Sequence, residues 1–183
     1  MANVSSRTAN WRLLGGGGLI LGGILWTLHL VLVQAGTLAL GPWLYVIALL
    51  VIAVALALVA FGETGSNGAV GKNVLGKVSL VLYAAGFLLL AINAAAALGS
   101  VVVTIAALLV IVGGLLSAYA VYQQGVAKGA ARWILFLPAV IGALWALGLA
   151  FVASLQLWWL GLLLALLLAV TGALYLFNSR KIG

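Results

Sequence analysis

The stretch Gly71-Lys72-Asn73-Val74-Leu75-Gly76-Lys77-Val78 sets two glycines and two lysines close together in a chain with almost no charge. The spacing is close to that of a loop that cradles phosphate with backbone N–H groups and a lysine. Such a loop needs a Ser or Thr after the lysine to hold magnesium, and a strand before it. Here Val78 follows Lys77, a long apolar segment comes before the loop, and the chain has no Asp to act as a second magnesium ligand. Nucleotide binding is therefore not expected. The stretch reads as a flexible hinge, with Lys72 and Lys77 held at anionic headgroups by roughly 1 kcal/mol each.

Other chemistry-bearing side chains are few. His29 is the single histidine and there is no cysteine. One chain thus cannot build a bis-histidine haem, a multi-histidine metal site or a thiolate site. For His29 the functional readings are a gate, a pH sensor or the single ligand of a pigment or haem. The plainer reading is a hydrogen bond to a neighbouring carbonyl. Asn93 falls within an apolar segment, as do Thr27, Thr104 and Thr171. Such groups join helices through hydrogen bonds usually worth under ~2 kcal/mol. Asn93, His29, Thr27 and Thr104 are the candidates for a ligand site or a polar path, with Asn93 the best single one. No Asp, Glu, Lys or Arg lies deep in an apolar segment, although proton pumps and voltage sensors use such groups. No acid pair or serine–histidine–acid set is available for hydrolysis. The expectation is a protein without catalytic activity, metal or resident cofactor.

These side chains are carried by apolar segments. Hydrophobic residues make up 67% of the 183-residue chain and charged residues 5%, against about 25% charged in a soluble domain. A bilayer is the solvent such a composition requires. A membrane-crossing helix needs roughly 20 apolar residues. Six segments qualify: Leu13–Gln34, Trp43–Phe61, Val78–Leu98, Val101–Gln123, Trp133–Ala153 and Leu157–Phe177. In lipid the backbone must close its hydrogen bonds in helices or in a closed barrel. These continuous Leu- and Ala-rich runs lack the alternation of barrel strands. The expected fold is all-α: a polytopic membrane protein of six transmembrane helices in three consecutive hairpins. One transmembrane domain spans 13–177, between a cytoplasmic segment 1–12 and a cytoplasmic tail 178–183. Val33-Gln34-Ala35 resembles a signal-peptide cleavage site, but the preceding apolar run is longer than the 7–15 residues of a signal, so the first span is expected to be retained.

Eight basic residues face one acid, Glu63. Arg7 and Arg12 precede the first segment, and Lys72 and Lys77 lie between the second and third. Lys128 and Arg132 lie between the fourth and fifth, and Arg180 and Lys181 follow the sixth. The alternate connections carry none, so all eight anchors fall on one side, which the positive-inside rule assigns to the cytoplasm. Both termini are predicted to be cytoplasmic, in an inner or plasma membrane of bacterial type. The basic residues come in ones and twos, with no clustered face for nucleic acid. Trp11, Tyr122, Trp133 and Tyr175 are expected near the inner interface, and Trp43, Tyr45, Trp158 and Trp159 near the outer one. Trp26 and Trp145 fall deeper.

Small residues recur at helix-packing spacing. Gly18 and Gly22 form a GxxxG. Gly142, Ala146, Ala150 and Ser154 line one segment, and Gly161, Ala165, Ala169 and Ala173 line the next. Such stripes let backbones approach closely, which is how helices associate in lipid. Pro42 suits a first helical turn, whereas Pro138 should kink its helix or open a carbonyl to a partner. The odd-numbered segments also open alike, a basic residue preceding a glycine in Arg12/Gly22, Lys77/Gly86 and Arg132/Gly142. That pattern suggests three parallel hairpin repeats.

The three units open at Arg12-Leu-Leu-Gly, Lys77-Val-Ser-Leu and Arg132-Trp-Ile-Leu, each followed by a glycine. This layout resembles the HdeD-like family of small bacterial membrane proteins, six-span chains of similar length with repeated helical hairpins. The likeness covers most of the chain at the level of architecture. The family's usual proline after the first helix of a hairpin appears only as Pro42. The resemblance implies an acid- or stress-linked membrane protein with no assigned chemistry. Two function classes follow. One is a non-catalytic accessory or structural protein, set in the bilayer against a larger membrane complex or in a homo-oligomer. The other is a small-molecule carrier or channel, such as the membrane substrate-binding subunit of an importer.

Overall fold

The computed structural model describes residues 11–36, 41–62, 68–151 and 158–177. Arg7, Glu63, Ser154, Gln156, Arg180 and Lys181 lie outside the described residues. Among the described residues every regular element is helical. A π-helical turn, Trp11–Gly16, leads into α1 (Gly17–Gln34). It is followed by α2 (Gly41–Phe61), α3 (Val74–Ala96), α4 (Ser100–Gln124), the short α5 (Ala130–Trp133), α6 (Phe136–Phe151) and α7 (Trp158–Phe177). With the π turn joined to α1 and α5 joined to α6, six helices are long and apolar enough to cross a membrane. Their outward faces carry large apolar side chains such as Leu21, Val54, Leu108, Leu144 and Leu166. The chain is an all-helical integral membrane protein.

Local chemistry explains the helix boundaries. α3 starts at Val74, earlier than the apolar run alone suggests, because Asn73 caps it: its extended backbone (φ −69°, ψ 109°) lets Oδ1 accept from Gly76 N–H. The glycine-rich loop before it was expected to be a flexible hinge. Its described part is instead packed: Ala69 and Val70 are fully buried, and Ala69 N–H donates to Val59 O at 2.8 Å. The α3–α4 turn is made by Ala97 in the left-handed region (φ 50°) and Gly99 (φ 101°). The fifth span breaks between Trp133 and Phe136, and Pro138 supplies the cause. It has no N–H for the carbonyl of Ile134, which instead accepts from Leu137 N–H at 3.1 Å.

The six spans close into a ring in chain order: α1 packs on α2, α2 on α3, α3 on α4, α4 on α6, α6 on α7, and α7 back on α1. In lipid there is no hydrophobic drive between helices, so contact depends on how closely backbones approach. Helix α1 therefore carries two glycine faces. Gly15, Gly18 and Gly22 face α2, where a Cβ on Gly22 would lie 2.5 Å from Ile52 Cγ1. Gly16 and Gly23 face α7, where a Cβ on Gly23 would lie 2.5 Å from Ala165 O and 2.9 Å from Ala169 Cβ. Gly172 of α7 meets Gly16 O in return. The small residues of α6 and α7 thus do not simply face one another. Gly161 meets Trp145 of α6, whereas Ala165 and Ala169 meet α1. Gly142 gives room to the Tyr83 hydroxyl and Leu164. Ala146 is fully buried, and Ala150 is half-buried.

Gly17 separates these faces and has nothing within 4 Å of its Cβ position. Gly23→Ala should destabilise the purified protein by about 1–3 kcal/mol through overpacking, whereas Gly17→Ala should be neutral or stabilise it by up to about 1 kcal/mol through helix propensity. Thermal unfolding of the two variants in one detergent checks this. Equal midpoints would remove the α1–α7 seam as a determinant of stability.

Candidate functional site

The centre of the bundle is aromatic. Trp26 of α1 is 1% exposed. Its ring lies 6.0 Å from Tyr45 of α2, 6.1 Å from Phe87 of α3 and 5.0 Å from Trp145 of α6. The Phe87 and Trp145 contacts are edge-on, the geometry worth about 0.5–1.5 kcal/mol per pair beyond area burial. Tyr83 of α3 continues the cluster, 5.2 Å from Phe87. Its ring lies over Gly114 of α4, and its hydroxyl donates to Pro138 O of α6 across 3.5 Å. Gly161 brings α7 against the Trp145 indole nitrogen. All six spans thus converge on one aromatic set. The Gly113–Gly114 pair, which makes way for Tyr83, was the signal in the sequence that could have pointed to it.

The polar residues singled out from the sequence do not gather at that centre. Asn93 Oδ1 accepts from Gly99 N–H at 3.0 Å, and the Asn93 carbonyl accepts from Ala97 N–H at 2.8 Å. Both groups hold the turn that ends α3. Thr104 lies one turn into α4, where its hydroxyl donates back to Ser100 O at 3.0 Å. His29 stacks on Tyr45 at 4.9 Å and has a further interaction of its own. Thr27 lines an apolar groove of about 290 Å³ between α1 and α7. Its buried hydroxyl oxygen has no hydrogen-bond partner among the described residues. Thr171, buried in α7, donates to Leu167 O at 2.7 Å. Asn93 and Thr104 share the neighbourhood of the α3–α4 turn, His29 and Thr27 belong to α1, and the structure does not join the four into one polar surface.

No family model, curated protein or solved structure matches this chain.

A second cluster lies at the opposite ends of these helices. Gly71, beside Lys72, approaches Val126. Arg12 Nη2 donates to Val126 O at 3.5 Å. Arg132 Nε donates to Tyr122 O at 2.7 Å, and its guanidinium lies 4.4 Å over the Tyr122 ring. Lys77 stands 5.8 Å over Phe61, where α2 ends. Lys128 is exposed in the α4–α5 loop. The five described anchors, Arg12, Lys72, Lys77, Lys128 and Arg132, thus share one end of the bundle. Trp11, expected in the interface, is 4% exposed and sets its edge against Tyr175 at 5.7 Å, so it packs as core. Tyr45 likewise turns inward to Trp26 and His29.

These placements separate two roles for Asn93. As a turn-holder it needs only an acceptor oxygen, so Asn93→Asp should keep the thermal midpoint while Asn93→Leu loses about 1 kcal/mol. A midpoint that both variants leave unchanged would show that the turn does not depend on this side chain.

Proposed function

We propose that the chain is a non-catalytic integral membrane protein that serves as an accessory or structural subunit, packed in the bilayer against a larger membrane complex or another copy of itself. The aromatic hub carries this reading. A solute path through the bundle would occupy the space that Trp26, Tyr83, Phe87 and Trp145 fill, and Asn93 and Thr104 are engaged in backbone contacts at the α3–α4 end. The exposed apolar faces suit lipid or another transmembrane helix.

The same proposal includes three consecutive hairpins with both termini cytoplasmic in a bacterial plasma membrane. The gathering of Arg12, Lys72, Lys77, Lys128 and Arg132 at one end supports it. The HdeD-like resemblance adds a stress-linked setting to the proposal. A carrier or channel is the second reading. It is favoured by a cleft of about 270 Å³ between α1 and α7, lined by Leu30, Val31, Gln34, Trp158 and Leu162. That is near the lower end, about 300 Å³, of small-molecule sites.

Native mass spectrometry of the gently solubilised protein from its own membrane tests the choice. Stoichiometric protein partners or a defined homo-oligomer are the expected result. A bare monomer with a reproducible small-molecule adduct would replace the subunit reading by the carrier. Sidedness is tested on the cysteine-free chain with single replacements. In intact cells an impermeant maleimide should label Leu98→Cys and spare Lys72→Cys until the membrane is opened. The reverse pattern would invert the topology.

A further inference from the structure

The two hollows on the α1–α7 seam are continuous. The cleft lined by Leu30, Gln34 and Trp158 and the deeper groove lined by Gly23, Thr27 and Ala169 share Val31. On α1 the joint groove runs from Gln34 down to Gly23, and on the antiparallel α7 from Trp158 down to Ala169. Eleven residues separate the two ends on each helix, roughly 16 Å at about 1.5 Å per residue. Half of a ~30 Å hydrocarbon core is about 15 Å. The groove therefore has the depth of one leaflet, and its mouth is at the end of the bundle opposite Arg12.

Its shape follows from side-chain size. Gly23 draws α1 down onto Ala165 and Ala169 of α7, and the exposed side chains of Ile24, Leu28, Val31 and Leu166 stand up on either side. The surface between them is apolar. Thr27 Oγ1 is buried, so this residue turns its carbons to the groove. Among the described residues no charged side chain lines it. Polar groups come only at the mouth, where Gln34 and Trp158 are exposed, the level at which amphipathic rings meet headgroups.

These features select the occupant. A transmembrane helix is about 10–12 Å wide with its side chains and packs through small residues. Here the branched rims hold a helix backbone away from Gly23 and Ala169. A single hydrocarbon chain lies between them. The hollows of about 270 and 290 Å³ together take roughly 15–20 groups of the ~30 Å³ that one water occupies, and a methylene is of similar size. We propose that this groove binds one acyl chain of a phospholipid from the leaflet on that side, with the glycerol and headgroup at Gln34 and Trp158. With no cation at the mouth, the fit is to the chain and not to headgroup charge. The site goes beyond the subunit proposal and does not rest on it. That reading fails if no protein partner or second copy is found, whereas the groove fails if chain length does not matter.

The full chain in neutral detergent is titrated with dipalmitoyl or dioctanoyl phosphatidylcholine, or with dipalmitoyl phosphatidylglycerol, and retention is read by native mass spectrometry. The palmitoyl lipid should be retained at least about tenfold better than the octanoyl one, which leaves the deeper hollow without contacts. Exchange of the headgroup should change retention less than about threefold, since no charge at the mouth distinguishes the two. Val31→Phe, where the hollows meet, should weaken retention at least about fivefold by overfilling the groove. Leu108→Phe, on the outward face of α4, should leave it unchanged. Equal loss in Val31→Phe and Leu108→Phe would overturn the proposal and mark ordinary surface lipid. So would equal retention of the two chain lengths, or a strong preference for the anionic headgroup. A dimer that Val31→Phe dissociates, with lipid retention unchanged, would make the groove an interface between copies instead. Circular dichroism guards against misfolding. If Val31→Phe fails to fold, Leu166→Phe on the opposite rim decides.

Discussion

The architecture depends on how closely two backbones can approach in a solvent as apolar as the side chains. Water drives a soluble core together by expelling apolar surface. Here lipid wets Leu and Ile as well as another helix does, so only dense packing distinguishes one neighbour from the next. Helix α1 meets that constraint with glycines on two faces, one against Ala48 and Ile52 of α2 and one against Ala165 and Ala169 of α7. Because α1 touches both α2 and the last helix, it closes the ring of six. The aromatic hub is the complement of that tight shell. Small residues draw the backbones together at the seams, and Trp26, Tyr83 and Trp145 fill the volume between them.

Polar chemistry is displaced to the two ends. At one end Asn93 and Thr104 bond to backbone groups around the α3–α4 turn. At the other, Arg12 and Arg132 bond to carbonyls left over at the end of α4. In both places the partner is a backbone group at or beside a helix end. Backbone groups near helix ends thus engage these four polar side chains in a chain that is 67% hydrophobic.

The spans were legible in the sequence because a run of apolar residues long enough to cross a bilayer has few other meanings. The break near Pro138 was legible too, since a missing N–H acts on its own helix. Asn93 was harder to place. The apolar run continues past it to Leu98, and the turn is made by Ala97 in a left-handed conformation that its side chain does not announce. The Gly16–Gly23 face needed knowledge of α7, more than a hundred residues away, because a small-residue stripe says that something packs there but not what. The same gap hid the core roles of Trp11 and Tyr45. An interfacial tryptophan and a buried one look alike in sequence, and only the position of Tyr175 or Trp26 separates them. The aromatic hub was the least legible part, because the Gly113–Gly114 pair says that something approaches α4 closely but not that it is Tyr83.

The meeting of α1 with α7 also has a consequence in time. A ribosome adds roughly 5–20 residues per second. About 150 residues separate Gly23 from Gly172, so the seam-forming face of the first helix waits ~7–30 s for the helix that covers it. Throughout that interval a backbone-lined notch is open to lipid and to any passing helix with small residues. The nascent chain is therefore a different object from the finished one: an incomplete ring whose first-made surface is the last to be closed.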